Sequence, residues 1–327
     1  MLLVTDSNVA LLHMPACEQA LAARGLTVHR CVVPAGETSK SLATLAAVYE
    51  AAVAARLDRR SLVVALGGGV VGDLAGFAAA TYLRGLPLVQ VPTSLLAMVD
   101  SSVGGKTGID LPQGKNLVGA FHQPVEVDID LDTLKTLPDR EYRSGLAEVV
   151  KYGVIRDASL FADLERGVPR LLERDPGFLG EVVARSCRIK ADVVATDETE
   201  AGPRAILNFG HTFGHALETA AGYGAWLHGE AVAAGMVFAA DVSVRQSGLA
   251  PEAAGRLRTL LAALGLPVDW RGAGVGWEAV RMIMARDKKA QSGVVRFVLA
   301  RTIGCVDYGC KVPDAVLRDV FETAPDC

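Results

Sequence analysis

The chain has 327 residues, of which 50% are hydrophobic and 21% charged, and its formal net charge is -4. This composition excludes a disordered chain, and the small negative charge excludes a general affinity for nucleic acid or anionic membranes. So long a chain rarely folds around a single hydrophobic core, and two domains are therefore expected.

The first 130 residues alternate short apolar runs with helical patterns. Strands are predicted at 2–5, 27–33, 62–66, 88–91 and 125–129, and helices at 9–24 and 42–56. The apolar stretch 61–80 is long enough to cross a bilayer, but its glycines and Asp73 favour a buried strand followed by a helix. This alternation predicts an α/β domain with a parallel, Rossmann-like sheet.

Beyond about residue 138 the pattern becomes mainly helical. Helices are predicted at 141–155, 160–172, 178–194, 208–221, 229–246 and 251–264, with one short strand at 294–299. We therefore predict an α/β domain of residues 1–137 and a mainly α-helical domain of residues 138–327. A cleft between two such domains is a favoured place for a ligand, and the active site is expected there.

Cysteine usage and the first residues bear on the cellular compartment. The six cysteines form no CxxC pair and no disulfide framework of the small-domain kind. The opening residues lack the basic region of a signal peptide. Reduced thiols in a cytoplasmic protein are the expected state.

Three of the six histidines cluster in the helical half, at His211, His215 and His228. His211 and His215 are four residues apart, which places them on one face of a helix. With Glu148 on an earlier helix, the cluster predicts a catalytic zinc ion with one open position. The alternative is that one or two of these histidines are hydrogen-bonded core residues. Spacing alone does not decide which of His211, His215 and Glu230 would bind the ion.

A glycine-rich stretch, GGGVVGD from Gly67 to Asp73, directly follows a predicted strand. It fits the GxGxxG spacing, in which glycines let the backbone approach a pyrophosphate at a helix N-terminus. An ordinary tight turn from strand to helix is the alternative, since the acidic residue of a standard Rossmann fingerprint is not evident.

Further polar residues suggest anion binding. The segment 101–107 lacks the Walker A spacing, but with Lys106, Lys115 and Asn116 it is predicted to be an anion-binding loop rather than a solvated one. Lys151, Lys190, Arg204 and Asn208 lie in or beside apolar helices. They form either a solvated helix face or, if they converge on the metal, a pocket for a doubly anionic substrate.

Several segments carry a resemblance to a known family. They are PAGETSK from Pro34, GGGVVGDLAGFAAATYLRG from Gly67, VPTSLLAMVDSSVGGKTGID from Val91, GKNLVGAFHQP from Gly114, LKTLPDREYRSGLAEVVKYG from Leu134, LNFGHTFGHALE from Leu207, LHGEAVAAGM from Leu227 and RDKK from Arg286. Over nearly its full length the chain resembles 3-dehydroquinate synthases, enzymes of the shikimate pathway for aromatic amino acids. Members usually begin with an extra strand pair ahead of the segment 2–6; if the domain lacks that pair, an uncovered sheet edge that favours association is expected, with consequences for stability and cofactor affinity.

The resemblance implies a ligand for each group of residues. Zinc, or cobalt, would be held by Glu148, His211 and His228. NAD would contact Gly36, Glu37, Lys40, Gly69, Val70, Val71, Gly72, Asp73, Thr93, Ser94, Lys106, Lys115, Thr133, Leu134, Lys135 and Thr136. Substrate would be held by Asp100, Lys151, Lys190, Arg204, Asn208 and Lys288 or its neighbour Lys289. Its phosphate would face Lys106, Asn116 and His215, joined by Arg84 from a second subunit of a homodimer.

The resemblance also implies a reaction. 3-Deoxy-D-arabino-heptulosonate 7-phosphate would be oxidised transiently by NAD, lose phosphate, be reduced again and close by an intramolecular aldol step. Three alternatives are another sugar-phosphate cyclase (of the 2-deoxy-scyllo-inosose, valiolone or amino-dehydroquinate type), a metal-dependent polyol dehydrogenase and an inactive paralogue. Arg204 and Asn208 suit a carboxylate, which favours the dehydroquinate synthase. The dense set of phosphate-binding residues argues against the dehydrogenase.

Overall fold

A computed structural model describes residues 1–200, 202–222, 224–286 and 295–323. The chain divides into two compact units, Met1–Pro138 and Asp139–Cys327. The first unit is α/β and the second is mainly helical, so the predicted fold class is confirmed. Among the helices in the described ranges, none combines the length and the apolar character needed to span a membrane.

The first unit is built on a parallel sheet. Its strands are β1 (Leu2–Asp6), β2 (His29–Val33), β3 (Val63–Gly67), β4 (Leu88–Pro92), β5 (Lys106–Leu111), β6 (Gly114–Phe121) and β7 (Glu126–Val127). Five of them form the sheet in the order β2-β1-β3-β4-β7, and every neighbouring pair is parallel. The chain runs from β1 outward to β2 on one side and from β3 outward to β4 on the other, so the direction of strand addition reverses between β1 and β3. Such a switch point is where α/β proteins commonly bind ligands.

Helices cover both faces of this sheet. They are α1 (Ser7–Leu12), α2 (Met14–Ala23), α3 (Leu42–Ala54) and α4 (Gly69–Thr81). Side chains alternate along β1, so Leu2 and Val4 pack with α3 and α4, whereas Leu3 packs with α1 and α2. The single helix predicted at 9–24 is wrong: the chain breaks at His13, because Pro15 in the first turn of α2 favours a new helix start.

The predicted glycine-rich anion loop is partly a β-hairpin. β5 and β6 pair antiparallel and are joined by a short turn, so Lys106, Lys115 and Asn116 lie on strands and not in a loose loop. The hairpin packs on α4, where a side chain at Gly76 would collide with Thr107. Burial of Ile109 in the core of the sheet fixes the hairpin there.

The second unit comprises eight helices and a hairpin within the described residues. They are α5 (Asp139–Ile155), α6 (Ala158–Leu172), α7 (Pro176–Thr196), α8 (His211–Ala221), α9 (His228–Gln246), α10 (Pro251–Ala263), α11 (Trp277–Arg286), β8 (Arg296–Thr302), β9 (Cys305–Lys311) and α12 (Asp314–Glu322). The lone strand predicted at 294–299 is instead one arm of the β8–β9 hairpin. The helix predicted from Asn208 starts at His211, because Gly210 has φ 81° and Asn208 ends a 3-10 segment.

Candidate active site

In the first unit, the residues predicted to bind a dinucleotide follow the carboxyl ends of parallel strands. Gly36, Glu37 and Lys40 come soon after β2, the glycine-rich turn follows β3, and Thr93 and Ser94 follow β4. The Thr93 N–H donates to the Gly67 carbonyl at 3.0 Å, which continues the pairing of β3 with β4. Since these strands are parallel, the three segments lie at one edge of the sheet.

The glycine-rich turn leads directly from β3 into α4, as predicted. Gly68 is the N-cap and supplies no side-chain hydrogen bond, and no acidic residue stands in the first turn. A side chain at Gly72 would lie 2.8 Å from the Gln90 side chain, so Gly72 serves the packing of α4 on β4. A Cβ at Gly68 would meet only Ser94 Oγ, at 3.5 Å, which leaves the backbone N–H groups of this turn accessible to an anion.

Lys40 connects this turn with the hairpin. Its Nζ donates to Asp73 Oδ2 at 2.7 Å and to Asn116 Oδ1 at 2.5 Å, and the lysine is only 4% exposed. Burial raises the pKa of the Asp73 carboxyl, although the Lys40 ammonium opposes this shift. Lys115 lies nearby, 3.6 Å from Glu37. Four residues predicted as cofactor contacts and one predicted as a phosphate contact are thus brought together.

The remaining predicted residues of the first unit occupy three other segments. Asp100 lies in a π-helical turn, Ala97–Ser101, of a kind often found at functional sites. Thr133, Leu134, Lys135 and Thr136 form a 3-10 segment in which Thr133 and Leu134 are buried. His13 hydrogen-bonds to Thr136 Oγ1 at 2.8 Å. Arg84 is exposed and has φ 69°, in a turn after α4.

In the second unit, glycines let three helices approach one another closely. Gly210 has φ 81°, and a Cβ there would lie 2.6 Å from Met236 Cγ on α9. Gly229 lies against α5: its N–H donates to Ser144 Oγ at 3.0 Å, and any Cβ would collide with the Ser144 carbonyl. These contacts place the first residues of α8 and α9, His211 and His228, beside α5.

Glu148 on α5 is the point on which the two histidines converge. Its Oε1 lies 3.3 Å from His211 Nε2 and 3.3 Å from His228 Nε2, and the glutamate is fully buried. Ligands about 2.0–2.1 Å from a tetrahedral zinc ion lie roughly 3.3–3.4 Å from one another. Both distances from Glu148 therefore fit ligands of one metal ion.

The position of the proton on the His211 ring also favours a bound metal ion. Its Nδ1 lies 3.1 Å from the Phe209 carbonyl oxygen, which can only accept, so this nitrogen carries the hydrogen. Burial lowers the pKa of His211 and favours the neutral ring, whose Nε2 lone pair then faces a carboxylate oxygen. No residue in the described ranges donates a hydrogen bond to Glu148 Oε1. A cation bound at this point would satisfy both atoms.

The other candidates for the metal have different surroundings. The donor atoms of His211, His215 and His228 lie within 4.8 Å of one another, so His215 borders the site, but the distances from Glu148 to His211 and His228 are shorter. Glu230 accepts hydrogen bonds from Arg140 and from the Leu227 N–H. It therefore fixes the start of α9, and both of its carboxylate oxygens already accept hydrogen bonds.

Glu218, which is absent from the predicted site residues, lies close to His228. Its Oε2 is 3.9 Å from His228 Nδ1, on the side of the ring away from Glu148. At this distance the carboxylate acts on the imidazole through its charge, which favours a proton on Nδ1. Helical spacing could have found this residue, because positions 211, 215 and 218 follow one face of α8.

Lys151 lies one turn after Glu148 on α5 and contacts it directly. Its ammonium donates to Glu148 Oε2, and both side chains are essentially inaccessible to solvent. The pKa of Glu148 is held well below its usual value: burial opposes this shift, and the Lys151 ammonium is the largest influence that lowers the pKa. The carboxylate therefore stays ionised, as a metal ligand must be.

The remaining predicted substrate residues of this unit include two buried cations. Lys190 on α7 is 6% exposed, and Arg204 is 2% exposed in the 3-10 segment Pro203–Asn208, which packs against α5 and α7. The Arg204 guanidinium donates to the Glu198 carbonyl, and Asn208 Nδ2 donates to Glu200 Oε1 at 2.7 Å. Lys288 and Lys289 lie outside the described residues.

Comparison with known proteins agrees with this description. Two domain families match the chain: 3-dehydroquinate synthase N-terminal over residues 30–144, and 3-dehydroquinate synthase C-terminal over residues 145–290. A 3-dehydroquinate synthase of Symbiobacterium thermophilum is 59% identical over 318 residues, which cover 96% of this chain and 88% of that protein. The chain belongs to the 3-dehydroquinate synthase family, as the resemblance predicted.

Solved structures of related enzymes share the fold. A 2-epi-5-epi-valiolone synthase from Streptomyces hygroscopicus subsp. jinggangensis 5008, with NAD+ and Zn2+ bound, superposes with a TM-score of 0.92 at 32% identity, covering 98% of this chain and 89% of that one. A 2-deoxy-scyllo-inosose synthase complexed with carbaglucose-6-phosphate, NAD+ and Co2+ gives 0.87 at 27% identity, covering 98% and 89%.

Proposed function

We propose that this chain is a 3-dehydroquinate synthase, which converts 3-deoxy-D-arabino-heptulosonate 7-phosphate into 3-dehydroquinate and phosphate. The observation that carries the proposal is the convergence of His211 and His228 on the buried Glu148 in a chain 59% identical to a curated enzyme of that name. Family membership supplies the reaction, and the donor set supplies the means to activate a substrate oxygen.

The proposed metal is zinc or cobalt, held by Glu148, His211 and His228. Two imidazoles and one carboxylate suit either ion, and the related structures hold Zn2+ and Co2+. Bound there, the ion would polarise a substrate hydroxyl oxygen and stabilise negative charge on it. Lys151 keeps Glu148 ionised, while the Phe209 carbonyl fixes the His211 tautomer that offers Nε2.

The proposed cofactor is NAD, bound by the first unit. The turn from Gly69 to Asp73 presents uncapped backbone N–H groups at the start of α4, which suits a pyrophosphate. Bound there, NAD would accept a hydride from the substrate and later return it. Lys40 and Lys115 add positive charge, and the segments containing Gly36, Thr93, Ser94 and residues 133–136 complete the proposed set.

The proposed substrate contacts are mainly cations. In the second unit, Lys151, Lys190, Arg204 and Lys288 would hold anionic groups, with Asn208 and His215 as neutral partners. In the first unit, Asp100 would hold a hydroxyl, whereas Lys106 and Asn116 would bind phosphate. Exposed cations suit recognition across a subunit contact, so we assign Arg84 to the phosphate site of a partner in a homodimer. The five cysteines in the described ranges are unbridged, which suits the cytoplasm we propose as its location.

A second candidate function is that of another sugar-phosphate cyclase, because a valiolone synthase shares the fold at 32% identity. Its relationship to this chain is more distant than the 59% identity to a 3-dehydroquinate synthase. The buried Arg204 also suits a substrate carboxylate, which the substrates of the inosose and valiolone types lack and that of the amino-dehydroquinate type keeps.

The experiment that tests the proposal follows phosphate release and NADH absorbance together, with zinc and NAD present. Phosphate released from 3-deoxy-D-arabino-heptulosonate 7-phosphate without accumulating NADH is the expected result. Accumulating NADH without phosphate would identify a dehydrogenase instead. Phosphate release only from glucose 6-phosphate or a heptulose phosphate without a carboxylate would identify another cyclase.

A further inference from the structure

Asp110 occupies a β-bulge in the hairpin of the first unit. Ile109 pairs with Val118 and Leu111 pairs with Gly114, so residue 110 of β5 lies opposite the three residues 115–117 of β6. Bulges re-aim side chains and are common beside active sites. This one contains Lys115 and Asn116, both proposed ligand contacts.

The backbone of Asn116 is held in an unusual conformation by Asp110. Asn116 has φ 53°, in the left-handed region that asparagine tolerates but that most residues avoid. Its N–H donates to Asp110 Oδ1 at 2.7 Å. A hydrogen bond to an ionised carboxylate is stronger than one to a neutral acceptor, so Asp110 is well suited to fix this conformation.

A ring of three hydrogen bonds extends from this contact to Lys40. The Asp110 N–H donates to the Lys40 carbonyl at 2.7 Å, and the Lys40 ammonium donates to Asn116 Oδ1 at 2.5 Å. The third bond, from the Asn116 N–H to the Asp110 carboxylate, completes the ring. The ring joins β5, β6 and the segment after β2. Lys40 also reaches Asp73 on α4, so the position of the bulge affects the start of that helix.

We propose that Asp110 is a positioning residue, which holds Asn116 and Lys40 in the arrangement that binds the anionic groups of the sugar phosphate and of NAD. The identity of these ligands rests on the proposed function, whereas the ring of hydrogen bonds does not. Asp110 does not contact an anion, because like charges repel and its Oδ1 accepts the Asn116 N–H. Its effect is transmitted through the backbone of the bulge.

The test compares Asp110→Ala with Asp110→Asn, whose side-chain oxygen still accepts from the Asn116 N–H. Gln113→Ala, at an exposed position in the same turn, is the control. Acetylation of Lys40 by acetic anhydride, without ligands, is quantified by mass spectrometry. Loss of a hydrogen bond to a charged group should raise Lys40 reactivity roughly tenfold in Asp110→Ala. Gln113→Ala should match the unmodified protein, and Asp110→Asn, which keeps a weaker neutral acceptor, should lie much closer to the unmodified protein than Asp110→Ala does.

Kinetics and binding then show whether the ring serves the ligands. For Asp110→Ala we expect the KM for sugar phosphate and the Kd for NAD to rise about tenfold, with a smaller change in kcat, and we expect Asp110→Asn to restore both. Unchanged Lys40 reactivity in Asp110→Ala, or an Asp110→Asn variant as impaired as Asp110→Ala, overturns the proposal. If labelling follows the expected pattern but the unmodified protein neither binds NAD nor releases phosphate, the ring is supported and the proposed function fails.

Discussion

Replacing Lys151 with methionine should destabilise the second unit strongly, because it leaves the Glu148 carboxylate buried without its ammonium partner. The two side chains are 1% and 0% exposed, so water cannot take the place of the lysine. Removing one partner of a buried ion pair costs about 3–5 kcal/mol. A loss of that size is a large fraction of the 5–15 kcal/mol typical of a folded domain.

A bound metal ion should reduce this loss. In the presence of EDTA, Lys151→Met should show the full decrease in the free energy of unfolding. With saturating Zn2+, a divalent cation compensates the Glu148 charge, so zinc should stabilise Lys151→Met more than it stabilises the unmodified protein. The double variant Glu148→Gln/Lys151→Met carries no buried unpaired charge and should recover much of the loss.

Urea unfolding followed by tryptophan fluorescence provides the measurement. Trp226, Trp270 and Trp277 are the three tryptophans, and all lie in the second unit, so the signal reports that unit. Arg166→Met is the matched control, because Arg166 forms a pair of the same spacing with Asp163 but is 71% exposed. Exposed pairs contribute about 0–1 kcal/mol, so this control should change little.

Two outcomes would refute the reasoning. A Lys151→Met variant within about 1 kcal/mol of the unmodified protein in EDTA would show that Glu148 does not depend on the ammonium group. A double variant as unstable as Lys151→Met alone would show that packing of the lysine stem, and not charge, explains the loss.

Three further predictions concern the metal, the substrate and the sheet. His228→Ala should lose both bound zinc, measured by elemental analysis, and activity. The control His29→Ala, at an exposed position, should keep both. Full zinc retention in His228→Ala would contradict the ligand assignment. Arg204→Ala should raise the KM for sugar phosphate far more than that for NAD in steady-state kinetics, and equal weakening of both would count against a carboxylate contact. Thr5→Val should stabilise the protein by about 1 kcal/mol, because the buried Thr5 hydroxyl has no hydrogen-bond partner among the described residues. The measurement is chemical unfolding followed by circular dichroism. Destabilisation would show that the hydroxyl has a partner such as water.

Local patterns were sufficient to predict the central features of both units. The apolar run ending at Gly67 and the glycines after it predicted a strand, a tight turn and a helix, because all three depend on neighbouring residues. The four-residue spacing of His211 and His215 likewise predicted adjacent rings, whose centroids lie 5.2 Å apart.

Features that depend on distant contacts were not predictable in this way. Glu148 meets His228 only because Gly229 lets α9 lie against Ser144 of α5, and a helical pattern carries no information about that crossing. The residues alone grouped Glu148 with the three histidines, and only the family resemblance selected Glu148 and His228 as ligands together. The β5–β6 hairpin was missed for a related reason: its bulge interrupts the alternation that identifies strands, and Asp110 acquires its role from Lys40, far away in sequence.

The close contact of α5, α8 and α9 through glycine backbone also bears on which ions the second unit can accept. Backbone atoms cannot change rotamer, so a side chain added at Gly210 or Gly229 could be accommodated only by moving a helix. Such a movement would shift His211 or His228, each the neighbour of one of these glycines, relative to Glu148. A larger ion such as Ca2+, with bonds of about 2.3–2.6 Å and a need for more oxygen ligands, suits the proposed set of two imidazoles and one carboxylate less well than zinc does. The two glycines therefore contribute to the proposed metal site although neither offers a ligand.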